Sequence, residues 1–270
     1  MGVDEGIPPR SSQRPLVPSH GIRLAYLEQV EASAKELLYP LTVTEPDGTP
    51  RIVPSYEALT CADVCEQIVL PTTAEAGGGS VCEKLHQEGR TSDGRPLVSA
   101  ASRLVSYAWS YLFADLLSVL RAVPGISEQW LWLDMFVINQ HATNYPLPDD
   151  ASAGAAAQAQ SGDGASSGGG SAGGGSAGGG GMRLDAAWLL AFQEVVRSIG
   201  HTIVVLDSWT LPVPPTRAWC CLEGFVSASV SAKLEIALPE LQRVQLREAL
   251  LDGHFDEVVG SLCPVGSDLY

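Results

Sequence analysis

The chain has 270 residues, a formal net charge of −15 and 45% hydrophobic residues, which is enough for one sizeable domain with appended segments. The acidic balance argues against nucleic acid as a partner, because phosphate binding needs a cationic face and none is visible. It argues equally against an anionic membrane surface, and no apolar run approaches the roughly 20 residues that span a bilayer. We therefore expect a cytoplasmic protein without nucleic-acid or membrane partners.

The six cysteines are not spaced like those of a small disulfide scaffold, so we expect reduced thiols in the cytosol. Cys61 and Cys65 would lie on one helical face and could share a metal with Cys82 or His86. No CxxC pair supports such a site, and we expect no metal.

The first third of the chain is predicted to consist of a tail and a mainly helical extension. Residues 1–20 are rich in Pro, Ser and charge and are predicted to be a disordered tail. Residues 21–98 are predicted to be a mainly helical and loop extension. Its expected elements are a helix over Leu24–Leu38, two short strands within Thr42–Val53, a helix over Thr60–Leu70 that Pro71 ends, and a loop from Gly77 to Pro96.

Residues 99–270 are predicted to form an α/β domain, because apolar strand-like runs alternate with amphipathic helices. The predicted strands are Arg103–Tyr107, Gln129–Ile138, Thr202–Leu206 and Lys233–Leu238. The predicted helices are Tyr111–Ala122 with Ser110 as its N-cap, Leu184–Ile199, Ala218–Ser229, Leu241–Leu251 and Phe255–Leu262. This alternation predicts three layers, with helices on both faces of a parallel, flavodoxin-like sheet.

A low-complexity segment interrupts this domain. Residues 151–181 consist only of Ala, Ser, Gly, Gln and Asp. Such side chains cannot repay the entropy of ordering, so the segment is predicted to be a disordered insert. Its glycines follow no strand-to-helix turn, and they therefore do not form a dinucleotide or phosphate fingerprint.

The predicted strand ends carry the candidate site. Ligands of doubly wound sheets bind beyond the carboxyl ends of the strands, and these ends are polar or aromatic here. The candidate ligand-binding residues are Ser106, Tyr107, Trp109, Asp134, Asn139, Asp207 and Trp209, with Trp219 from the helix that follows. Asp134 could equally hydrogen-bond loop amides, Asn139 could cap a loop, and Trp219 could pack in the core.

Three segments together resemble TIR domains. LVSYAWSY (Leu104–Tyr111) resembles their first strand, and WLWLDMFVINQH (Trp130–His141) resembles the second strand with its terminal Asp. The latter also resembles the W-[IL]-D-x-x-x-I-N-Q signature of the TIR-related heterokaryon-incompatibility domains. TIVVLDSW followed by RAWCCLE (Thr202–Glu223) resembles the third strand and the W-C-x-x-E helix.

A more specific resemblance covers about Thr60 to Leu262. The S-[HY]-A-W, D-x-F-x-x-[ND]-Q-H, I-G-H-T and R-A-W-C-x-x-E pattern is similar to that of a group of algal and protist proteins. Those proteins often carry tetratricopeptide or kinesin-light-chain-like repeats, which are not visible in this sequence. The resemblance implies a signalling or scaffold module that associates with itself, or with other TIR-like or repeat proteins.

The same resemblance implies an alternative activity. TIR domains that cleave NAD⁺ use the glutamate of W-C-x-x-E, which is Glu223 here, and NAD⁺ would then be a substrate rather than a cofactor. A carboxylate beside the nicotinamide ribose can orient its hydroxyls and stabilise oxocarbenium-like charge, while Trp109 or Trp219 could stack a ring. A glutamate on the first turns of a helix is more often solvated or paired with arginine. The insert also occupies the loop that TIR domains use for assembly.

Overall fold

The computed structural model describes residues 17–45, 47–74, 78–91, 94–141, 186–256 and 260. Residues 1–16 of the predicted tail lie outside this range, as does the whole of the predicted insert at 151–181. None of the described helices is long and apolar enough to cross a membrane.

The regular elements follow one another along the described chain. The strands are β1 (His20–Arg23), β2 (Leu41–Thr44), β3 (Pro50–Val53), β4 (Val98–Ala100), β5 (Arg103–Ser106), β6 (Trp130–Trp132), β7 (His201–Val205) and β8 (Lys233–Ala237). The α-helices are α1 (Leu24–Lys35), α2 (Cys61–Val64), α3 (Leu70–Ala74), α4 (Val81–Glu88), α5 (Phe113–Ala122), α6 (Asp134–Val137), α7 (Ala186–Ile199), α8 (Ala218–Ser229) and α9 (Glu240–Leu251).

The centre of the fold is a six-stranded, mostly parallel sheet in the order β4-β1-β6-β5-β7-β8. Strands β6, β5, β7 and β8 are mutually parallel, whereas β1 runs antiparallel to both β4 and β6. A separate two-stranded antiparallel sheet is formed by β2 and β3. The expected α/β class and parallel core are therefore present, with an antiparallel addition on one side.

Helices flank this sheet. The chain moves from β5 to β6 on one side and then returns across β5 to reach β7. Right-handed connections consequently place α5 and α7 on opposite faces. Helix α8 contacts α7 and strands β5, β7 and β8, so α7 and α8 share a face. The arrangement is that of a three-layer α/β fold.

The segment predicted as a mainly helical and loop extension also contributes strand β1 to the central sheet, a strand that the sequence did not predict. Strand β1 lies beside β6, and a side chain at Gly21 would lie 2.8 Å from the carbonyl oxygen of Leu131. Only glycine permits this approach. The end of the predicted tail is also packed, because Val17 is 3% exposed and the Trp132 indole N–H donates to the Pro18 carbonyl at 2.8 Å.

Two further predictions for this segment are wrong. The predicted loop from Gly77 to Pro96 contains α4, which begins with a capping box: the Ser80 hydroxyl accepts from the Glu83 amide, and the Glu83 carboxylate accepts from the Ser80 amide. This pair satisfies two amides that a helix start otherwise leaves open. The helix predicted to end at Pro71 continues to Ala74 after a π-helical segment, Cys65–Val69.

The second predicted strand is shorter than expected. The run from Gln129 to Ile138 divides into β6, which ends at Trp132, and α6, which begins at Asp134. A continuous apolar run is compatible with either element when both are buried. The predicted cap of α5 is also wrong, because the helix begins at Phe113 and has no side-chain cap. Helix α8 has the predicted bounds.

An aromatic cluster fills the space between α7, α8 and the sheet. The Trp188 and Phe192 rings stack 5.2 Å apart, and Phe192 lies 5.8 Å from the Trp132 ring. Trp219 from α8 joins them at 5.4 Å from Trp188 and 6.0 Å from Phe192. Rings at these separations gain from both burial and ring–ring contact, so the cluster fixes α8 against α7.

Candidate functional site

The loop after β5 is held in place by backbone hydrogen bonds to the start of α2. The Cys61 amide donates to the Tyr111 carbonyl at 2.9 Å, and the Ala62 amide donates to the Trp109 carbonyl at 3.0 Å. The first amides of a helix have no partner within the helix, so the loop satisfies them. This pairing directs the Tyr107 and Trp109 side chains toward the end of β6.

Asp134 is the centre of the polar cluster at that end. Its Oδ1 accepts from the Tyr107 hydroxyl at 2.8 Å and from the Met135 amide at 2.8 Å. Its Oδ2 accepts from the Trp109 indole N–H at 2.8 Å. Three donors surround the two oxygens, which is the environment of an ionised carboxylate.

Burial and hydrogen bonding act in opposite directions on Asp134. Burial raises the pKa of its carboxyl group, while the hydrogen bonds from Trp109, Tyr107 and Met135 lower it in part. The pKa of the Tyr107 hydroxyl is raised well above its usual value by burial first and by the Asp134 charge next. Tyr107 therefore remains a hydrogen-bond donor to a negative partner.

Glu223 lies inside the fold, on α8, with 2% of its surface exposed. Burial raises the pKa of its carboxyl group well above the usual value, and the charge of Asp134 raises it further. The Ser106 hydroxyl and the Trp219 indole favour the ionised form and offset this shift only in part. Burial therefore raises the pKa of both neighbouring carboxyl groups, and the hydrogen bonds to Asp134 offset its shift in part.

Two buried polar atoms in this cluster make no hydrogen bond of normal geometry to any described residue. They are Glu223 Oε2 and the Ser106 hydroxyl oxygen, and Ser106 is 1% exposed. Hydrogen bonds hold the α8 backbone beside them in place. The Ser227 hydroxyl donates to the Glu223 carbonyl at 2.7 Å and lies 2.7 Å from Thr202 Oγ1. Unsatisfied buried groups are uncommon and mark a place of strain or of a missing partner.

Three cysteines, which were not among the predicted site residues, also belong to this cluster. The Cys220 thiol donates to the Tyr107 carbonyl at 3.4 Å. Burial raises the pKa of the Cys61, Cys65 and Cys220 thiols, that of Cys65 to about 12, and the Asp134 charge adds to each shift. Thiols held in the neutral form are poor nucleophiles, so these cysteines do not add a catalytic nucleophile.

The remaining predicted site residues make contacts of their own. Asn139 accepts from the His141 amide at 2.9 Å, which is a loop-capping role. Trp209 is buried in a small cluster with Leu206 and Leu238. The structure thus gathers Ser106, Tyr107, Trp109, Asp134, Trp219 and Glu223 around one point.

Asp207 faces a shallow cleft between the carboxyl ends of β5 and β7. Its Oδ1 accepts from the Val213 amide at 2.9 Å. The chain leaves β5 in one direction and reaches β7 from the other, so the cleft lies at the switch point where doubly wound folds bind ligands. It is partly open to solvent and is lined by Ala108, Ser110, Tyr111, Val205, Asp207, Val213 and Pro214. Neither Glu223 nor Asp134 is among these lining residues.

The described part of the chain contains no group of three or more His, Cys, Asp and Glu side chains arranged to hold a metal ion. Comparisons with protein-family models, with curated proteins and with solved structures found no match. The function is therefore inferred from the geometry of the polar cluster and of the fold around it.

Proposed function

We propose that the chain is a TIR-like signalling or scaffold module that acts through self-association in the cytoplasm. The order of the four parallel strands supports a flavodoxin-like assignment, because β6-β5-β7-β8 corresponds to the order 2-1-3-4 of such sheets. The described cysteines are free thiols, which fits a reducing compartment. The partners are further copies of the chain, or other TIR-like or repeat proteins.

The observation that carries this proposal is the distribution of exposed apolar side chains. Seven of the twelve large hydrophobic side chains that are exposed in the described residues lie between Leu234 and Phe255. They are Leu234, Ile236, Leu241, Val244, Leu250, Leu251 and Phe255. None of the twelve residues of α9, all of them described, is buried. Concentrated exposed apolar surface is typical of protein–protein contact sites.

The polar cluster supports the same conclusion. Glu223 is buried and its pKa is raised well above the usual value, which disfavours the ionised carboxylate that acts on a ribose. The Asp134 oxygens are engaged by donors from the protein itself. The cluster therefore serves to fix the β5 and β6 ends.

We expect the molar mass measured by light scattering to rise with concentration from 28.4 kDa toward at least twice that value. Burial of the exposed apolar surface would supply the free energy of association, since burial of apolar area stabilises a complex by roughly 25 cal/mol per Å² before the cost of association. Measurement of the whole chain at physiological ionic strength limits repulsion between copies that each carry a net charge of −15. A monomer at every concentration would exclude the proposed function.

A second candidate is cleavage of NAD⁺ between nicotinamide and ribose with Glu223 as the acting carboxylate. The observation in its favour is a pair of buried polar atoms that make no hydrogen bond of normal geometry to the described residues, Glu223 Oε2 and the Ser106 hydroxyl oxygen. A change of conformation that opened this pair to solvent would present both to a substrate. Release of nicotinamide separates this candidate from the first.

A further inference from the structure

Strand β8 is the outermost strand on its side of the sheet in the described part of the chain. It pairs with β7 in parallel, from His201 opposite Lys233 to Val205 opposite Ala237. The Lys233 amide donates to Gly200, and the Ala237 carbonyl accepts from Leu206. Because backbone groups alternate in direction along a strand, those of Leu234 and Ile236 point to the open edge.

The side chains of β8 alternate in chemistry as well as in direction. Leu234 and Ile236 share one face and are 47% and 50% exposed. Lys233 and Glu235 share the other face, where Lys233 Nζ lies 3.2 Å from Glu235 Oε2 and His201 Nε2 lies 2.8 Å from the same oxygen. An apolar edge with free backbone groups is a template for pairing with another strand.

We propose that β8 pairs with β8 of a second copy as antiparallel strands about a twofold axis at Leu234. This inference rests on the proposed function and adds the surface and register of the association. Each Leu234 then faces Leu234 of the other copy in a hydrogen-bonded pair. The two sheets join into one across an isologous interface.

Charge complementarity selects the second copy and this register. With the axis at Leu234, Lys233 of each copy lies opposite Glu235 of the other, and each position forms a close, non-hydrogen-bonded pair. An axis at Glu235 would place the two Glu235 carboxylates opposite each other, which is unfavourable. Because each strand contributes one Lys233 and one Glu235, the dimer contains two symmetric ion pairs between these residues.

The charge pairs give a test of the register. In sedimentation equilibrium of the whole chain, Lys233→Glu and Glu235→Lys should each raise the dimer dissociation constant about three- to tenfold, because each places like charges opposite each other twice. The double variant Lys233→Glu/Glu235→Lys should return to near the wild-type value. Additive weakening in the double variant would overturn the register.

A substitution at the axis tests the surface itself. Leu234→Lys places two ammonium groups opposite each other and should raise the dissociation constant at least about tenfold. Leu211→Lys, at an 82% exposed loop residue, is the matched control and should leave it unchanged. Circular dichroism and the urea unfolding midpoint verify that each variant folds.

The outcomes separate this inference from the proposed function. Association that is unchanged in Leu234→Lys would overturn β8 as the interface while leaving self-association in place. A wild-type chain that stays monomeric would overturn both. Slow hydrogen exchange of the Leu234 and Ile236 amides in the monomer would show that the chain itself covers this edge, and would overturn the proposal.

Discussion

Replacement of Asp134 by alanine is expected to lower the free energy of unfolding by about 3–5 kcal/mol. The substitution removes three hydrogen bonds and leaves the Tyr107 hydroxyl and the Trp109 indole N–H without their acceptor. Each buried donor left without a partner costs about 1–3 kcal/mol, and more when the lost acceptor was charged. Urea unfolding monitored by tryptophan fluorescence measures the loss.

Asparagine at position 134 tests the mechanism of this loss. An amide oxygen can still accept from Tyr107 and Met135, but the amide nitrogen then faces the Trp109 N–H. Trp109→Phe removes that N–H, so it should cost less in the Asp134→Asn background than in the wild type. Asp252→Ala, at the exposed C-cap of α9, is the control and should change stability little. A loss below about 1 kcal/mol in Asp134→Ala would contradict a structural role for Asp134.

Replacement of Glu223 by glutamine is expected to stabilise the protein increasingly as the pH rises. The folded protein retains the Glu223 proton above pH 4.5, the usual pKa of a glutamate, whereas the unfolded chain releases it. Stability of the wild type therefore falls between that pH and the raised pKa, by as much as about 1.4 kcal/mol per pH unit. Glutamine resembles the neutral acid in shape and has no proton to lose.

Unfolding free energies of both proteins at pH 5, 6, 7 and 8 provide the measurement. The difference between variant and wild type should grow from pH 5 upward and level off once the pH passes the raised pKa of Glu223. Glu248→Gln, at an exposed position on α9, should show no such growth. A difference that stays constant from pH 5 to pH 8 would mean that Glu223 is ionised in the folded protein.

The sequence predicted those elements whose pattern is local. Helix α8 has the predicted bounds, Ala218–Ser229; β7 is shifted by one residue at both ends, and β8 is one residue shorter at its end. Their apolar residues repeat with the period of a single type of element, so neighbouring structure does not change the assignment. The α/β alternation that follows from them predicted the parallel core.

The sequence did not predict elements that depend on distant partners. Strand β1 has four residues, too few to show a period, and its place beside β6 depends on the close approach of Gly21 to Leu131. The division of the Gln129–Ile138 run at Asp134 depends on the donors that Tyr107 and Trp109 bring to its carboxylate. Neither interaction is visible along the chain.

From the sequence we could predict which residues the structure brings together at the candidate site, but not the burial and protonation of their carboxyl groups. Strand-end position identified Ser106, Tyr107, Trp109 and Asp134, and the TIR resemblance identified Glu223. Burial of Glu223 results from the packing of α8 against α7, where Trp188, Phe192 and Trp219 meet. Because burial determines whether this carboxyl group is ionised, the sequence alone left catalysis and scaffolding both open.

The central claim is that the chain associates with itself and does not cleave NAD⁺. The most direct test is to measure nicotinamide release from NAD⁺ by the whole chain, at concentrations where light scattering shows that the chain has associated. Association is the condition under which catalytic TIR domains complete their sites, so it gives the enzymatic alternative its best opportunity. We expect no nicotinamide above the level released by the Glu223→Ala variant. Release by the associated wild type that Glu223→Ala abolishes would contradict the account and establish Glu223 as a catalytic carboxylate.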